Sequence, residues 1–203
     1  MRDRLTKLGC ECVLTYMSLT QPMSRSTADA RRATVIARAI TVFARTGYHA
    51  TPVTEVADAA GISQAYVFRL FSGKLGLFVA ALDHCHALIE RALTDGADRA
   101  MGDEPGEVLA AMGDAYAELI SDRDLLMLQV HALSAADVPE IGDAVRRRYA
   151  ALVTLAKQRS GATDAQVQDF MARGQLCHLI VAADLGGVSA PWARTLTTGM
   201  RHL

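Results

Sequence analysis

No stretch of the 203 residues approaches the about 18 consecutive apolar positions of a membrane-crossing helix. Aromatic residues are scarce at 5% and only five prolines occur, so sheet-forming and helix-breaking residues are both thin. The four cysteines, Cys10, Cys12, Cys85 and Cys177, match no zinc or redox spacing, and Cys10-x-Cys12 is not a CxxC pair. They are expected to be incidental thiols in a reduced cytoplasmic chain, with no metal and no cofactor. Charge of either sign is also nearly absent in sum, at −1, which argues against a protein that simply coats nucleic acid. Early positive charge in Met1–Leu19 suggests a leader, but Glu11 interrupts its apolar part and no small-residue cleavage site follows. Residues 1–23 are therefore expected to be a disordered extension, with Met23 an alternative start.

What is present is a hydrophobic half, 51%, rich in alanine and leucine, enough for a real core. An all-α protein follows. Its charge is unevenly spread: from Ser24 to Lys74 there are seven Arg or Lys against three acids, and from Leu75 onward eleven against seventeen. A basic head on an acidic body suits contact with DNA at one end. Helical spacing predicts a first helix from a Thr27 cap to about Arg45, with Ala33, Ile36, Ala37, Ile40, Phe43 and Ala44 as its buried stripe. Gly47 closes it. Thr51 and Pro52 read as a cap and first position of a short helix to about Ala60. After Gly61, Ser63 caps a third helix, Gln64 to Leu70, and Ser72 a long fourth, Gly73 to Ala97. Further helices are expected over Glu107–Ile120, Asp124–Ser134, Pro139–Ser160 and Thr163–Leu185, with a short last one within Trp192–Leu203.

Two short helices joined at a glycine cannot cover their own apolar faces. Val53, Val56, Ala57, Ile62, Val67, Phe68 and Phe71 are expected to form a small core against Ile40 and Phe43, a helix-turn-helix over residues 24–74. In such a unit the second helix enters the major groove, where base edges show distinct donor and acceptor patterns. Gln64, Ala65, Tyr66 and Arg69 are the expected base and backbone contacts. Lys74, at the opening of the fourth helix, is an expected phosphate clamp, and Thr51 a cap that can also touch DNA. Arg25, Arg31 and Arg32 are either an arm toward the duplex or solvated charge.

The run Ala39-x-x-x-Phe43-Ala44-x-x-Gly47-Tyr48-x-x-Thr51-x-Val53-x-x-Val56-Ala57-x-x-Ala60-Gly61-Ile62-Ser63, continuing to Phe68-x-x-Phe71-x-x-Lys74-x-x-Leu77, resembles the head of the TetR family of transcriptional regulators. The resemblance covers about a quarter of the chain. It implies a homodimer, usually a repressor, whose heads read a palindromic operator in double-stranded DNA and whose body binds a small-molecule effector. Two positions depart from the family's usual residues: Phe68 stands where Tyr is common, and Leu70 where His is frequent. Phe68 cannot donate the hydrogen bond a tyrosine gives to phosphate.

Residues 75–203 are expected to form a helical effector-binding and dimerisation body. Met101, Met112, Tyr116, Met127 and His131 are candidates for lining an effector cavity, since methionine adapts to pocket shape. The broad apolar face containing Phe170, Gly174, Cys177 and Val181 is the candidate dimer interface, with Gly174 permitting close approach. His84-Cys85-His86 resembles a metal cluster, yet neighbours on a helix point about 100° apart and cannot converge on one ion. Arg146-Arg147-Arg148 reads as a solvated face. No serine, histidine and acid form a catalytic pattern, so an enzyme is not expected. The alternative is a helical interaction module whose DNA-binding head has degenerated.

Overall fold

The computed structural model describes residues 23–200, and among them every regular element is a helix. The extension expected before Met23 lies outside the described residues, and Met23 itself already belongs to the first helix. The order is α1 (Met23–Ala50), α2 (Val53–Ala59), α3 (Gln64–Phe71), α4 (Lys74–Asp98), α5 (Pro105–Leu119), α6 (Arg123–Ser134), α7 (Pro139–Ser160), α8 (Asp164–Ala182) and α9 (Pro191–Thr197). A single 3-10 turn, Leu185–Gly187, sits before α9.

Regular α1 ends at Gly47, whose φ of 74° only glycine adopts without strain. A side chain there would also collide with His131 of α6, whose Nδ1 lies 2.7 Å from where a Cβ would be. The buried face of α1 is carried by Val35, Ala39, Ile40, Val42 and Phe43, while Ala33 and Ala37 are exposed. Of the expected stripe, Ile40, Phe43 and Ala44 are buried and Ile36 packs against the core, so only Ala33 and Ala37 fall outside it. Both stripes satisfy the three-and-four spacing, and α1 packs against α2 and α4 on one side and α6 on another.

Thr51 is not the cap of α2. That position belongs to Pro52, and the Thr51 hydroxyl donates to the Gly47 carbonyl at 2.6 Å while lying 2.6 Å from the Thr46 hydroxyl. It ties the turn shut from inside. Ser63 caps α3 as expected, accepting from the Tyr66 amide at 3.2 Å. Ser72 does not cap α4; it adopts a left-handed conformation and Gly73 takes the cap position. The last long helix stops at Ala182, three residues short of expectation, because Asp184 turns to φ 52°.

One continuous apolar core runs from Val35 in α1 to Val167 in α8, crossing the expected head–body boundary within α4. Phe78 of α4 is its joint: fully buried, edge-on to Phe43 at 4.9 Å and to Tyr48 at 5.3 Å. Farther along, α4 and α5 approach closely at Gly96, where a Cβ would meet the Ala111 carbonyl at 2.7 Å. Arg148 is not solvated. It is 7% exposed and reaches from α7 to the Leu82 carbonyl and the Asp83 carboxylate of α4. Among the described residues no single helix is long and apolar enough to cross a membrane.

The Arg148 bridge should dominate the charged contributions to stability. Arg148→Ala is expected to cost about 2–3 kcal/mol in urea unfolding, because a carbonyl and a carboxylate lose their donor. Arg146→Ala, which breaks only an exposed pair with Asp143, should cost no more than about 0.5 kcal/mol. Equal losses for both would refute the assignment.

Candidate functional site

Val67 and Phe71, one turn apart, turn the inner side of α3 into the core. That leaves Gln64, Ala65 and Arg69 exposed and Tyr66 half-buried on the outer side. The Arg69 guanidinium lies 4.6 Å over the Tyr66 ring, and the Arg31 side chain of α1 hydrogen-bonds the phenol. These two cations, Arg31 first, pull the Tyr66 hydroxyl below its ordinary pKa. Four expected contacts, with Arg31 added, therefore share one positive surface. Phe68 does not join the core; at 48% exposure it sits on the same outward face, its ring 3.4 Å from where a Gly73 Cβ would be. The core stripe of α3 runs through Val67, and the next residue is turned about 100° away.

Two other expected contacts have internal partners. Thr51 is 1% exposed and its hydroxyl is committed within the α1–α2 turn. Lys74 Nζ donates to the His49 carbonyl at 3.1 Å and lies 4.8 Å over the Tyr48 ring, and partial burial lowers its pKa. It remains half-exposed, with further ammonium protons free to turn outward. Arg32, left open by the sequence, is a structural clamp: it donates to the Leu70 carbonyl at 2.5 Å and covers the Phe71 ring at 4.3 Å. Arg25 lies among side chains that are not described.

A cavity of about 410 Å³ opens among α4, α5, α6, α7 and α8. Its walls are apolar, with Ile89, Leu93, Leu109, Leu152, Phe170 and Met171 prominent, and its polar lining includes His86, Tyr116, Gln129 and His178. The Tyr116 hydroxyl lies 2.7 Å from His178 Nε2 and 3.4 Å from Gln129 Oε1. Of the five expected lining residues only Tyr116 borders it. Met101 is fully exposed on the α4–α5 loop, Met112 is buried in the core, Met127 lies elsewhere on α6, and His131 packs against Gly47. Phe170, Gly174 and Cys177, expected at a dimer interface, line the cavity instead, and Val181 is half-buried near the end of α8. The apolar stripe is real, and its half-buried residues Phe170, Gly174 and Cys177 border the cavity. His86 and Gln129 were missed. The available signal was a set of polar residues placed on otherwise apolar helix faces.

Residues 35–81 match the sequence profile of the bacterial regulatory proteins of the tetR family. Residues 35–81 thus form a head of the TetR-family type. Over 54 residues it is 43% identical to the HTH-type transcriptional activator FasR of Mycolicibacterium smegmatis, a match spanning 27% of this chain and 25% of that protein. The whole fold resembles a transcriptional regulator from Pseudomonas aeruginosa, with TM-score 0.61, 21% identity and coverage of 90% and 89% of the two chains. It also resembles FadR from Bacillus subtilis, solved in complex with stearoyl-CoA, with TM-score 0.62, 18% identity and coverage of 81% and 94%. At such identities the structures share a fold.

In this TetR-family head, the two departures from the usual residues have different settings. Phe68 exposes its ring on the outward face of α3, whereas Leu70 is half-buried with its carbonyl held by Arg32. Among the described residues no group of three metal-binding side chains converges; His84 is exposed while His86 faces the cavity side of the same helix.

Burial holds His86 and His178 neutral, each lowered from 6.5 to about 4. The unfolded chain takes up these protons near pH 6.5 and the folded chain only near pH 4. Their stabilisation is therefore complete above pH 6.5 and is lost as the pH falls toward 4. Each histidine should cost about 2 kcal/mol of stability between pH 7.5 and pH 5. Urea midpoints measured across that range should slope less steeply in His178→Phe; parallel slopes would show that His178 protonates freely in the fold.

Proposed function

We propose that this chain is a transcriptional regulator that binds a palindromic operator in duplex DNA as a homodimer. It acts as a repressor in the cytoplasm, by binding alone, and a small molecule in the cavity releases it. The observation that carries the reading is the outer side of α3: Gln64, Ala65 and Arg69 are exposed while Val67 and Phe71 anchor the helix. Arginine is suited to a bidentate contact with guanine, glutamine to adenine, and a small alanine to the thymine methyl. Lys74 and the first amides of α4 lie beside this surface as a phosphate site. Tyr66 and Arg69, stacked together, reach the same duplex. Thr51 serves from within, holding the α1–α2 turn in shape.

The dimer surface belongs on the outer side of the C-terminal region. Leu179 at 51% exposure, Val188 at 37% and Trp192 at 56% are large apolar side chains left open there. Two copies paired through them would set two heads at a fixed separation, and half-site spacing follows from that separation. The cavity supplies the effector part of the reading, as does the FadR relative that was solved with an acyl-CoA.

Selection of bound duplexes from a random pool should return a palindrome. Against that duplex, Arg69→Ala should weaken binding about 5- to 100-fold and relax preference at one base pair. Lys74→Ala should weaken all duplexes alike and make the salt slope shallower by about one. No preferred duplex even at low ionic strength would overturn the DNA reading, and a monomer by light scattering at micromolar concentration would overturn the dimer.

A further inference from the structure

We propose that the cavity seats an uncharged oxygen acceptor, a ketone or ester carbonyl on a hydrocarbon body, on the Nε2–H of His86. This rests on the effector reading above and names the group that the effector carries.

Hydrogen-bond accounting along the polar lining selects His86. The Tyr116 hydroxyl lies 2.7 Å from His178 Nε2 and 3.4 Å from Gln129 Oε1, and Gln129 Nε2 donates to the Leu125 carbonyl at 3.1 Å. Those three residues serve one another and one backbone carbonyl, and the remaining His178 nitrogen, Nδ1, is closed off from the cavity. His86 belongs to no such series. Its Nδ1 is buried with no acceptor in reach, so a proton there would be an orphaned interior N–H, the rarest kind of orphan. Burial keeps the ring neutral at pH 7.5, and its single proton therefore sits on Nε2, the nitrogen that retains accessible surface. The residue is 8% exposed and lines the cavity, so that donor opens onto Ile89, Leu93 and Leu109 with no protein partner among the described residues. Tyr149 of α7 adds a second donor to the wall: its oxygen accepts from Gln175 Nε2 at 2.9 Å, which leaves the hydroxyl proton unspent. A donor held among apolar side chains fits a ligand that brings an acceptor.

The same donor discriminates among head groups. An ammonium carries donors only, and at His86 it would set one donor against another. A carboxylate accepts, but among the described lining residues two acids, Asp114 and Asp169, stand against one base, Arg173. Arg173 is solvent-exposed, and no lysine or other arginine lines the cavity. An anion at His86 would give up its hydration with the surrounding charge against it. A carbonyl accepts without charge, and its hydrocarbon body takes the apolar walls.

Equilibrium headspace measurements on the full chain at pH 7.5 test this with nonan-2-one and 2-methylnon-1-ene, which has a methylene in place of the ketone oxygen. Transfer out of water favours the alkene, so the readout is what His86→Phe does to each probe. The variant should weaken nonan-2-one about fivefold or more and leave the alkene unchanged or tighter. Infrared spectra of bound nonan-2-one read the bond directly: the carbonyl stretch should lie below its position in hexane, and return to that position in His86→Phe. Should that variant fail to fold, Tyr149→Phe takes its place, and there the stretch should stay low. Nonanoate should displace nonan-2-one only at about tenfold or more of its concentration. Gly174→Leu fills the cavity, since nothing lies within 4 Å of an added Cβ, and should abolish binding of both neutral probes. A stretch at the hexane position, or equal losses of ketone and alkene in His86→Phe, would overturn the His86 seat while leaving the cavity an effector site. Tighter binding by nonanoate would overturn the uncharged class. No binding by either neutral probe, or binding that survives Gly174→Leu, would overturn both this inference and the effector part of the function.

Discussion

Phe78 is where the two halves of this protein become one. It belongs to α4, it is fully buried, and its ring lies edge-on against Phe43 of α1 and Tyr48 of the turn that follows. An α-helix carries displacement along its length because each backbone bond is closed within it. The residues of α4 before Phe78 hold the head, and those after it wall the cavity at His86, Ile89 and Leu93. Burying Phe78 thus fixes the angle at which α3 leaves the body. Without that aromatic joint, the helix-turn-helix would be three short segments with too little apolar area to fold alone.

Around this joint the polar groups work as pins. Arg32 holds the C-terminal end of α3, Thr51 closes the α1–α2 turn, Lys74 ties the start of α4 to His49, and Arg148 joins α7 to α4. Each ends on a backbone carbonyl that would otherwise lack part of its hydrogen bonding. Such a contact contributes little beyond what water would have given, but it serves a second lone pair of the carbonyl where burial keeps water away. These residues therefore specify geometry more than they add stability. Gln64, Ala65 and Arg69 are exposed on the outer face, where Arg69 rests against the Tyr66 ring of its own helix.

The head was legible because its signals are local. Val67 and Phe71 at one-turn spacing, the Ser63 cap and the Gly47 break each follow from short-range backbone chemistry, and each lies where the sequence puts it. Phe68 was misjudged because an aromatic residue suggests burial, while its position on α3 turns it outward. The body was legible as helices but not as a site. Periodicity identifies an apolar face, as on α8, but does not say what covers it. The cavity that Phe170, Gly174 and Cys177 border was consequently not legible in that face. The three methionines chosen for adaptability all lie elsewhere, Met112 in the core, which the same adaptability serves equally well. Arg148 and Lys74 show the same limit: a charge pattern gives no sign of an accepting carbonyl on a distant helix.

The cavity's position has a mechanical consequence. Of the helices that wall it, two also hold the head: α4 through the Phe78 joint and α6 through His131, which fills the space above Gly47. Gln129 lines the cavity only two residues before His131 on α6, and it belongs to the hydrogen-bonded series through Tyr116 and His178. A molecule that changes how those three residues bond acts on the helix that presses on Gly47. That glycine occupies a backbone conformation few other residues adopt, so a shift of His131 has little room to be absorbed locally. Under the proposed function, differential affinity for two head positions would arise here, from contacts to α4 and α6 made together. Distance between cavity and duplex is then no obstacle, because the intervening structure is two continuous helices and one packed core.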